Sequence, residues 1–551
     1  MIATGKQTFL QIHPHDNLLV ALQDLKAGES IFFNGNDFRL KDNVAAKHKF
    51  TLSDLAAGDA VYMYGVLVGK TTHSLPAGSL ISTENLKHAA EDFSQKAGNY
   101  VWQAPDVRKW AQRTFNGYHR PDGQVGIRNY WLVLPLVFCE NRNVETLKEA
   151  FLKELGYASS NKYEAQVRAL ASLYRQSKDL QEFRIEEVHA HTSKERLFPN
   201  VDGIKFLVHD GGCGGTREDA DNLCALLAGY CVNPNVAGIT VLSLGCQHAQ
   251  VDILQEKIKE RDTAFAKPLL IFEQQKAASE FKMLSDAIFQ TFAGMAEANR
   301  CERQPATLDK LIVGVECGGS DGFSGISANP AVGYAADLIA ALGGKVLLSE
   351  FPELCGVEQE LINRCVDEQT ADRFILLMRE YAARAQAVGS GFDMNPSPGN
   401  IRDGLITDAI KSAGAAKKGG TSPVTDVLGY AQYVRKSGLT LLCTPGNDVE
   451  STTALAGSGC TLQLFTTGLG TPTGNPVSPV VKIATNTNLA QRLPDIIDLN
   501  AGTIISGEKT IEAFGEEILD YIIDMASGKF DTRAMELGQD DFIFWKRGVS
   551  L

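Results

Sequence analysis

The chain has 551 residues, 44% of them hydrophobic and 22% charged, which is enough for two to four domains, each with its own core. Its net charge of −13, with the acidic residues spread along the chain, argues against a nucleic-acid partner, which needs a concentrated basic surface. No apolar run reaches the length of a membrane span, and the opening MIATGKQTFLQIHPHD lacks the basic-then-apolar pattern of a secretory signal, so a cytoplasmic protein is expected.

Residues 1–92 read as a small β-domain. FLQI, SIFF, HKFTL and AVYMYGVLVG are short β-rich segments with turns at AGES, NGND and AGDA, interrupted by a Leu-rich stretch, NLLVALQDL, with helical character. Residues 93–116 are polar and aromatic without a clean period and read as a linker. A middle α/β domain is expected over 117–303. VETLKEAFLKELGY and EAQVRALASLYRQSKDL have helical spacing, and a βαβ pattern follows: strand GIKFLVHD, helix REDADNLCALLAGY, strand AGITVLSLG. A C-terminal Rossmann-like domain is expected over 304–551. LIVGVEC, KVLLSE, LTLLC, CTLQLFTTG and PVVKIATN are buried strands, with NPAVGYAADLIAALG a helix among them. Such alternation predicts an α/β protein, with a mostly parallel sheet and helices on both faces. MNPSPGNIRDG, with its clustered Pro and Gly, reads as a shaped turn.

Eleven cysteines without a Cys-x-x-Cys pair give no support to zinc ribbons or thioredoxin-like motifs. Cys224, Cys231 and Cys365 lie in helix-like stretches and read as buried packing. Others stand at predicted strand ends. Cys213 lies in Gly-Gly-Cys-Gly-Gly just after His209, Cys246 follows Leu-Gly, Cys317 opens Cys-Gly-Gly-Ser320-Asp321, and Cys443 precedes Thr-Pro-Gly-Asn-Asp448. Ligands of open α/β sheets bind outside the carboxyl ends of the strands, where flanking glycines let the backbone approach them. Any one such loop is also an ordinary tight turn, but together they point to a site. Cys317 with Asp321 is the most pointed pair, His209 with Cys213 the next.

Glu350 ends KVLLSE and reaches the same edge as a metal ligand, a base or a solvated carboxylate. Lys482, inside an apolar strand, needs a partner or a function. Arg128 is a carboxylate clamp or a surface residue. His13-Pro-His15-Asp16 and His48 are metal-binding candidates, the first equally a surface turn. Gly65 to Thr71 imitates a P-loop, but the spacing between its glycines is one residue short and no long helix follows.

These residues carry a resemblance through essentially the whole chain to the altronate/galactarate dehydratase family. It rests on Asp16-Asn17, His48-Lys49-Phe50 and Tyr64-Gly65 in the first domain. Further on it rests on Gly126-x-Arg128-Asn129, Leu-Gly-Cys246, Glu316-Cys-Gly-Gly-Ser-Asp-Gly-Phe-Ser-Gly, Pro396-Ser-Pro-Gly-Asn400, Thr466-x-Gly468-x-Gly470 and Lys482-Ile-Ala-Thr-Asn486. The resemblance implies an N-terminal β-clip (SAF) domain, a middle domain used for homodimer contacts and a Rossmann-like C-terminal domain. It implies a divalent metal, Fe²⁺ or alternatively Mn²⁺, and a six-carbon sugar acid that loses water across C2–C3. Glu353-Leu-Cys-Gly-Val-Glu358 and the ending from Trp545 look like altronate dehydratase, and Gly502 to Gly507 like galactarate dehydratase. Where altronate enzymes tend to carry a His-rich segment near the end of the β-clip domain, this chain has Gly78 to Asn85 without histidine.

On this reading Cys317, Asp321, Cys213, Cys246, Glu350 and Asp448 are the expected metal ligands. His209, His48 and Lys482 are the expected catalytic groups, and Arg128, Asn129, Ser320, Asn400, Thr466 and Gly468 bind substrate. The dehydration needs stabilisation of an enediolate-like intermediate and a proton for the leaving hydroxyl. The expected reaction is D-altronate to 2-dehydro-3-deoxy-D-gluconate, with galactarate or another aldonate or aldarate as alternative substrate. A thiol-dependent enzyme and a non-catalytic sugar-acid binding protein are the alternatives of other classes.

Overall fold

A computed structural model describes residues 8–158, 162–185 and 195–550. In the first domain Leu18–Ala21 pairs antiparallel with Phe9–Leu10 and with Lys49–Thr51, and Val66–Thr71 pairs with Ala60–Met63 and Leu86–Lys87. The helical character of NLLVALQDL is therefore corrected. Its four residues from Leu18 are all buried, because strands flank them and the domain covers both faces, and pairing overrides the local period. The Gly65 loop is the hairpin between Ala60–Met63 and Val66–Thr71.

The strand Thr114–His119 begins inside the stretch read as a linker. It pairs with Val125–Gly126 and with Gln304–Thr307, so the entry to and exit from the middle domain meet in one small sheet. The middle sheet is parallel, in the order Gly203–Phe206, Tyr130–Pro135, Val236–Ser243, Leu269–Glu273. The helices Asn141–Glu154 and Glu280–Ala298 cover one face and Arg217–Val232 and Val251–Arg261 the other.

The C-terminal sheet has seven parallel strands in the order Val424–Leu428, Gly438–Leu442, Lys345–Leu348, Ile312–Cys317, Leu462–Thr467, Val480–Ala484, Leu499–Asn500. The central strands read as apolar runs because both faces are covered. The helices Ala328–Ala341 and Ile511–Ala526 pack on one face, Asp448–Gly457 and the middle domain's Arg217–Val232 on the other. The last two helices cross so closely that a Cβ at Gly229 would stand 1.7 Å from the Gly457 carbonyl oxygen.

MNPSPGNIRDG also departs from its reading. It contains a short helix, Pro398–Arg402, started by a capping box in which Ser397 Oγ accepts the Asn400 N–H and Asn400 Oδ1 accepts the Ser397 N–H. Among the described residues no helix is long and apolar enough to cross a membrane. The order of the large sheet reverses beside Ile312–Cys317, whose neighbours Lys345–Leu348 and Leu462–Thr467 lie on opposite sides. That reversal opens a crevice at the carboxyl ends of Ile312–Cys317 and Leu462–Thr467.

Candidate active site

Cys317, the last residue of its strand, lies in that crevice, 2% exposed. Glu350 follows Lys345–Leu348 with φ of +65°, a left-handed conformation that strains a non-glycine residue. Its backbone N–H is held by Thr444 Oγ1 at 2.8 Å, and its carboxylate turns back to accept the Cys317 N–H at 3.3 Å. Glu353, in the 3-10 turn Phe351–Leu354, accepts from Cys317 Sγ at 3.2 Å. The Sγ and the carboxylate oxygens of Glu350 and Glu353 lie within 4.8 Å of one another.

Two lysines, Lys418 buried and Lys411 partly buried, balance this charge. Lys418 Nζ donates to Cys317 Sγ at 2.7 Å and to Glu350 Oε2 at 2.8 Å, and Lys411 Nζ pairs with Glu353 Oε1 at 2.6 Å. One residue before Cys317, the Glu316 carboxylate accepts from Ser349 Oγ at 2.6 Å and Ser451 Oγ at 2.7 Å. Burial and Glu350 push the Glu316 carboxyl well up, while Lys418 opposes. Burial works against the charge on Lys418 too, but Cys317 and Glu350 more than offset it and hold its ammonium well above the usual range. Glu353 is held below its ordinary value despite burial, because Lys411 and Lys418 face it.

Asp448 opens the helix Asp448–Gly457 at the same edge. A Cβ at Gly318 would come within 2.0 Å of Asp448 Oδ2, so glycine is what admits the carboxylate against the strand end. Burial, with Glu350 and Glu353 nearby, raises the Asp448 carboxyl to about 7.

Asp321 forms the neighbouring wall. Its carboxylate accepts from Ser324 Oγ at 3.1 Å and Asn486 Nδ2 at 3.2 Å, and it lies against Gly468, where a Cβ would meet its Cγ at 2.3 Å. The N-terminal domain completes this wall. Lys47 Nζ stands 3.0 Å from both Asp321 and Asp403, and buried Lys49 donates to the Gly404 carbonyl at 2.6 Å. Burial lowers the Lys49 amine to about 7, although Asp321 opposes. Ser320 enters through its carbonyl, which accepts from Asn400 Nδ2 at 2.8 Å.

Other expected residues lie elsewhere. His48 follows Lys47 in the chain, but its ring Nδ1 contacts the Ala46 carbonyl in its own turn at 3.3 Å. Thr466, beside Cys317 in the sheet, donates to Asn329 Oδ1 at 2.6 Å. Lys482 contacts Gln539 Oε1 at 3.2 Å and the Phe465 ring, and burial, opposed by Asp498, lowers its amine to about 8. Arg128 donates to the Ile127 and Met525 carbonyls and to Asp531. Asn129 donates to the Asn200 and Ala298 carbonyls, and with Arg128 it ties segments of the fold together. His209 is buried on the middle domain, its Nε2 2.9 Å from the Pro135 carbonyl, and burial lowers its pKa. Exposed Cys213 and Cys246 occupy the edge of that same sheet, where the His248 N–H donates to the Gly212 carbonyl. In the first domain the Asp16 carboxylate accepts the N–H groups of His13, Tyr64 and Gly65 and so organises a turn.

Lys418, Lys411, Lys47, Lys49, Asp403 and Asn486 were not singled out in the sequence for these roles. A lysine inside the apolar strand Lys49–Thr51 was a usable signal, by the argument applied to Lys482. The run Ala416-Lys417-Lys418-Gly419 offers no such apolar context and gave none.

Three family descriptions match the chain in succession. They are the altronate/galactarate dehydratase SAF domain over residues 7–89, the D-galactarate dehydratase/altronate hydrolase second domain over 117–299, and the D-galactarate/altronate dehydratase C-terminal domain over 308–550. The altronate dehydratase of Escherichia coli (strain K12) is 34% identical over 547 residues, 98% of this chain and 100% of the relative. That of Bacillus subtilis (strain 168) is 32% identical over 99% of this chain and 100% of the relative. The galactarate dehydratase (L-threo-forming) of E. coli K12 is 31% identical over 96% of this chain and 95% of the relative. With every domain matched in order and the family's Cys-Gly-Gly-Ser-Asp block at the sheet's reversal point, the chain belongs to the altronate/galactarate dehydratase family and is a hydro-lyase.

Proposed function

We propose that the chain dehydrates D-altronate to 2-dehydro-3-deoxy-D-gluconate, as a cytoplasmic homodimer. The observation that carries this reading is the buried Cys317–Glu350–Glu353 cluster at the strand ends, next to Asp448, a carboxyl that titrates near neutrality. The choice of altronate is supported by full-length similarity to two altronate dehydratases at 34% and 32% identity.

The cluster fits the divalent metal that the family resemblance implies. A thiol and two carboxylates, all buried at the strand ends, lie within 4.8 Å of one another. This mixed soft and hard donor set suits Fe²⁺ or Mn²⁺ better than Mg²⁺. Cys317, Glu350 and Glu353 would hold the ion, and when bound it supplies Lewis-acid stabilisation of negative charge on the substrate's carboxylate side.

The chain's own residues account for the rest. Lys47, partly exposed between Asp321 and Asp403, holds an anionic or hydroxyl group at the far wall, with Asn486 beside it. Asp448, ionised above about pH 7, accepts the proton from the carbon next to the carboxylate and returns it to the departing hydroxyl, which leaves as water. Lys411 and Lys418 keep positive charge beside the cluster as charge develops there. The β-clip domain, by closing over Asp321 with Lys47 and Lys49, limits water at that wall.

A keto-acid assay over a panel of aldonates and aldarates, run after chelation and again with Fe²⁺ or Mn²⁺ restored, tests the proposal. Metal-restored turnover of altronate above all others supports it. Preference for galactarate moves the substrate within the family, and undiminished turnover after thorough chelation overturns the metal assignment in favour of thiol chemistry.

A further inference from the structure

A second group of side chains of metal-ligating type joins two domains and takes no part in the chemistry above. His88 directly follows the last strand of the β-clip domain, Leu86–Lys87, while Cys355 and Asp408 belong to the C-terminal domain. One imidazole nitrogen, the Cys355 Sγ and one Asp408 carboxylate oxygen lie within 4.8 Å of one another. A cavity opens beside them, lined by His88 and Cys355 with Gln386, Phe392 and Asp393.

The Asp408 carboxylate gives an independent reason to look for a ligand. The residue is 0% exposed, its Oδ1 accepts a long 3.4 Å bond from Ser412 Oγ, and its other hydrogen-bonding neighbour is the Cys355 thiol. A buried carboxylate held only by a long hydroxyl bond and a thiol is costly to ionise and calls for a counter-charge. The nearby cation, Lys411, is engaged by Glu353 at 2.6 Å. Among the described residues the other charged groups facing the trio are acidic: Asp393, Glu358 and Glu353. On the imidazole, Nδ1 receives the Ala409 N–H at 3.4 Å, so that nitrogen carries its lone pair at the start of the helix where Asp408 stands.

We propose that His88, Cys355 and Asp408 bind a divalent transition-metal cation of the zinc type, which fastens the β-clip domain to the C-terminal domain. One nitrogen, one sulfur and one oxygen form a donor set that zinc accepts in tetrahedral sites, with the fourth position open to the cavity. Binding exchanges the Cys355 thiol proton, and the Asp408 carboxyl proton where present, for the cation. No oxidation is involved, and affinity rises with pH as those protons become easier to release. The site is separate from Cys317, so it stands whether or not the substrate assignment does.

The test uses the full chain carrying Cys317→Ser, which removes the thiol of the first cluster, stripped of metal and titrated with Co²⁺; the Cys355→Ser arm separates Cys355 from exposed Cys213 and Cys246. A thiolate-to-cobalt charge-transfer band is expected at one equivalent. Adding Cys355→Ser should abolish the band, and adding His88→Gln should weaken binding by about 10-fold or more. Zn²⁺ should also raise the melting temperature of the otherwise unaltered chain and fail to do so for its His88→Gln variant, a readout that does not depend on the Cys317→Ser background. No band in the Cys317→Ser chain, a band that survives Cys355→Ser, or an equal zinc shift in His88→Gln would each overturn the proposal.

Discussion

Lys418 places a positive charge, 1% exposed, among a thiol and the carboxylates of Glu350, Glu353 and Glu316. Removing one partner of a buried ion pair strands the other, at a cost of about 3–5 kcal/mol. Lys418→Met should therefore destabilise the fold by that order in denaturant melts, and abolish turnover as well. Glu350→Gln, which removes the acidic partner and keeps the shape, should be milder on stability and equally damaging to activity. Asp448 bears on pH. As a base it works ionised, so kcat/KM should rise as pH climbs through about 7, and Asp448→Asn should remove both that limb and most of the activity. Its effect on stability has the opposite sense. A carboxyl whose folded-state pKa exceeds its unfolded value binds a proton that the unfolded chain releases, so stability falls as pH rises from the ordinary carboxylate range to about 7. Melts of Asp448→Asn should show a flatter slope across that window.

At the level of elements, the capping box at Ser397 and Asn400 makes a graded prediction. Ser397→Ala loses one cap, worth about 1 kcal/mol. Asn400→Ala loses the reciprocal bond and also the 2.8 Å bond to the Ser320 carbonyl beside Asp321, so it should cost more in a chemical melt and raise KM where Ser397→Ala does not. This helix was legible in principle, since Ser397 followed by Pro398 at the first helical position is a start signal, but the clustered Pro and Gly read as a turn. The strands of the large sheet were legible because burial on both faces writes an apolar run, as in Ile312–Cys317. Leu18–Ala21 was not, because four apolar residues fit a helix or a strand until the partners are known. The site follows the same division. Cys317, Glu350 and Asp448 could be placed at one edge from strand ends alone. Lys411, Lys418 and Lys47 arrive from a helix, a turn and another domain, and nothing in their local sequence says which distant carboxylate they meet.

At the scale of the molecule, the helix Glu280–Ala298 turns Phe281, 83% exposed, and Phe289, 74% exposed, outward with Ile288 and Phe292 beside them. An apolar stripe of this kind on a middle domain fits the proposed homodimer. Light scattering should then find a dimer, and Phe289→Asp should yield a monomer that keeps its melting temperature. The β-clip domain supplies the second prediction at this scale, because the wall at Asp321 is complete only while that domain is docked. The docking contact is tight at Gly325, where a Cβ would fall 2.2 Å from Tyr64 Oη and 2.7 Å from the Gly414 Cα. Neither neighbour yields easily, one being a rigid ring and the other backbone, so Gly325→Ala should cost about 1–3 kcal/mol through overpacking. If the change lifts the β-clip domain, Lys47 leaves Asp321 and Asp403, and turnover should fall further than the stability loss explains. The Cys317, Glu350 and Lys418 cluster lies wholly within the C-terminal domain and should persist. Limited proteolysis should then show earlier cleavage between residues 90 and 113, with the C-terminal domain as resistant as before. Full activity in a Gly325→Ala protein with a loosened first domain would mean that Lys47 and Lys49 are not part of the working site.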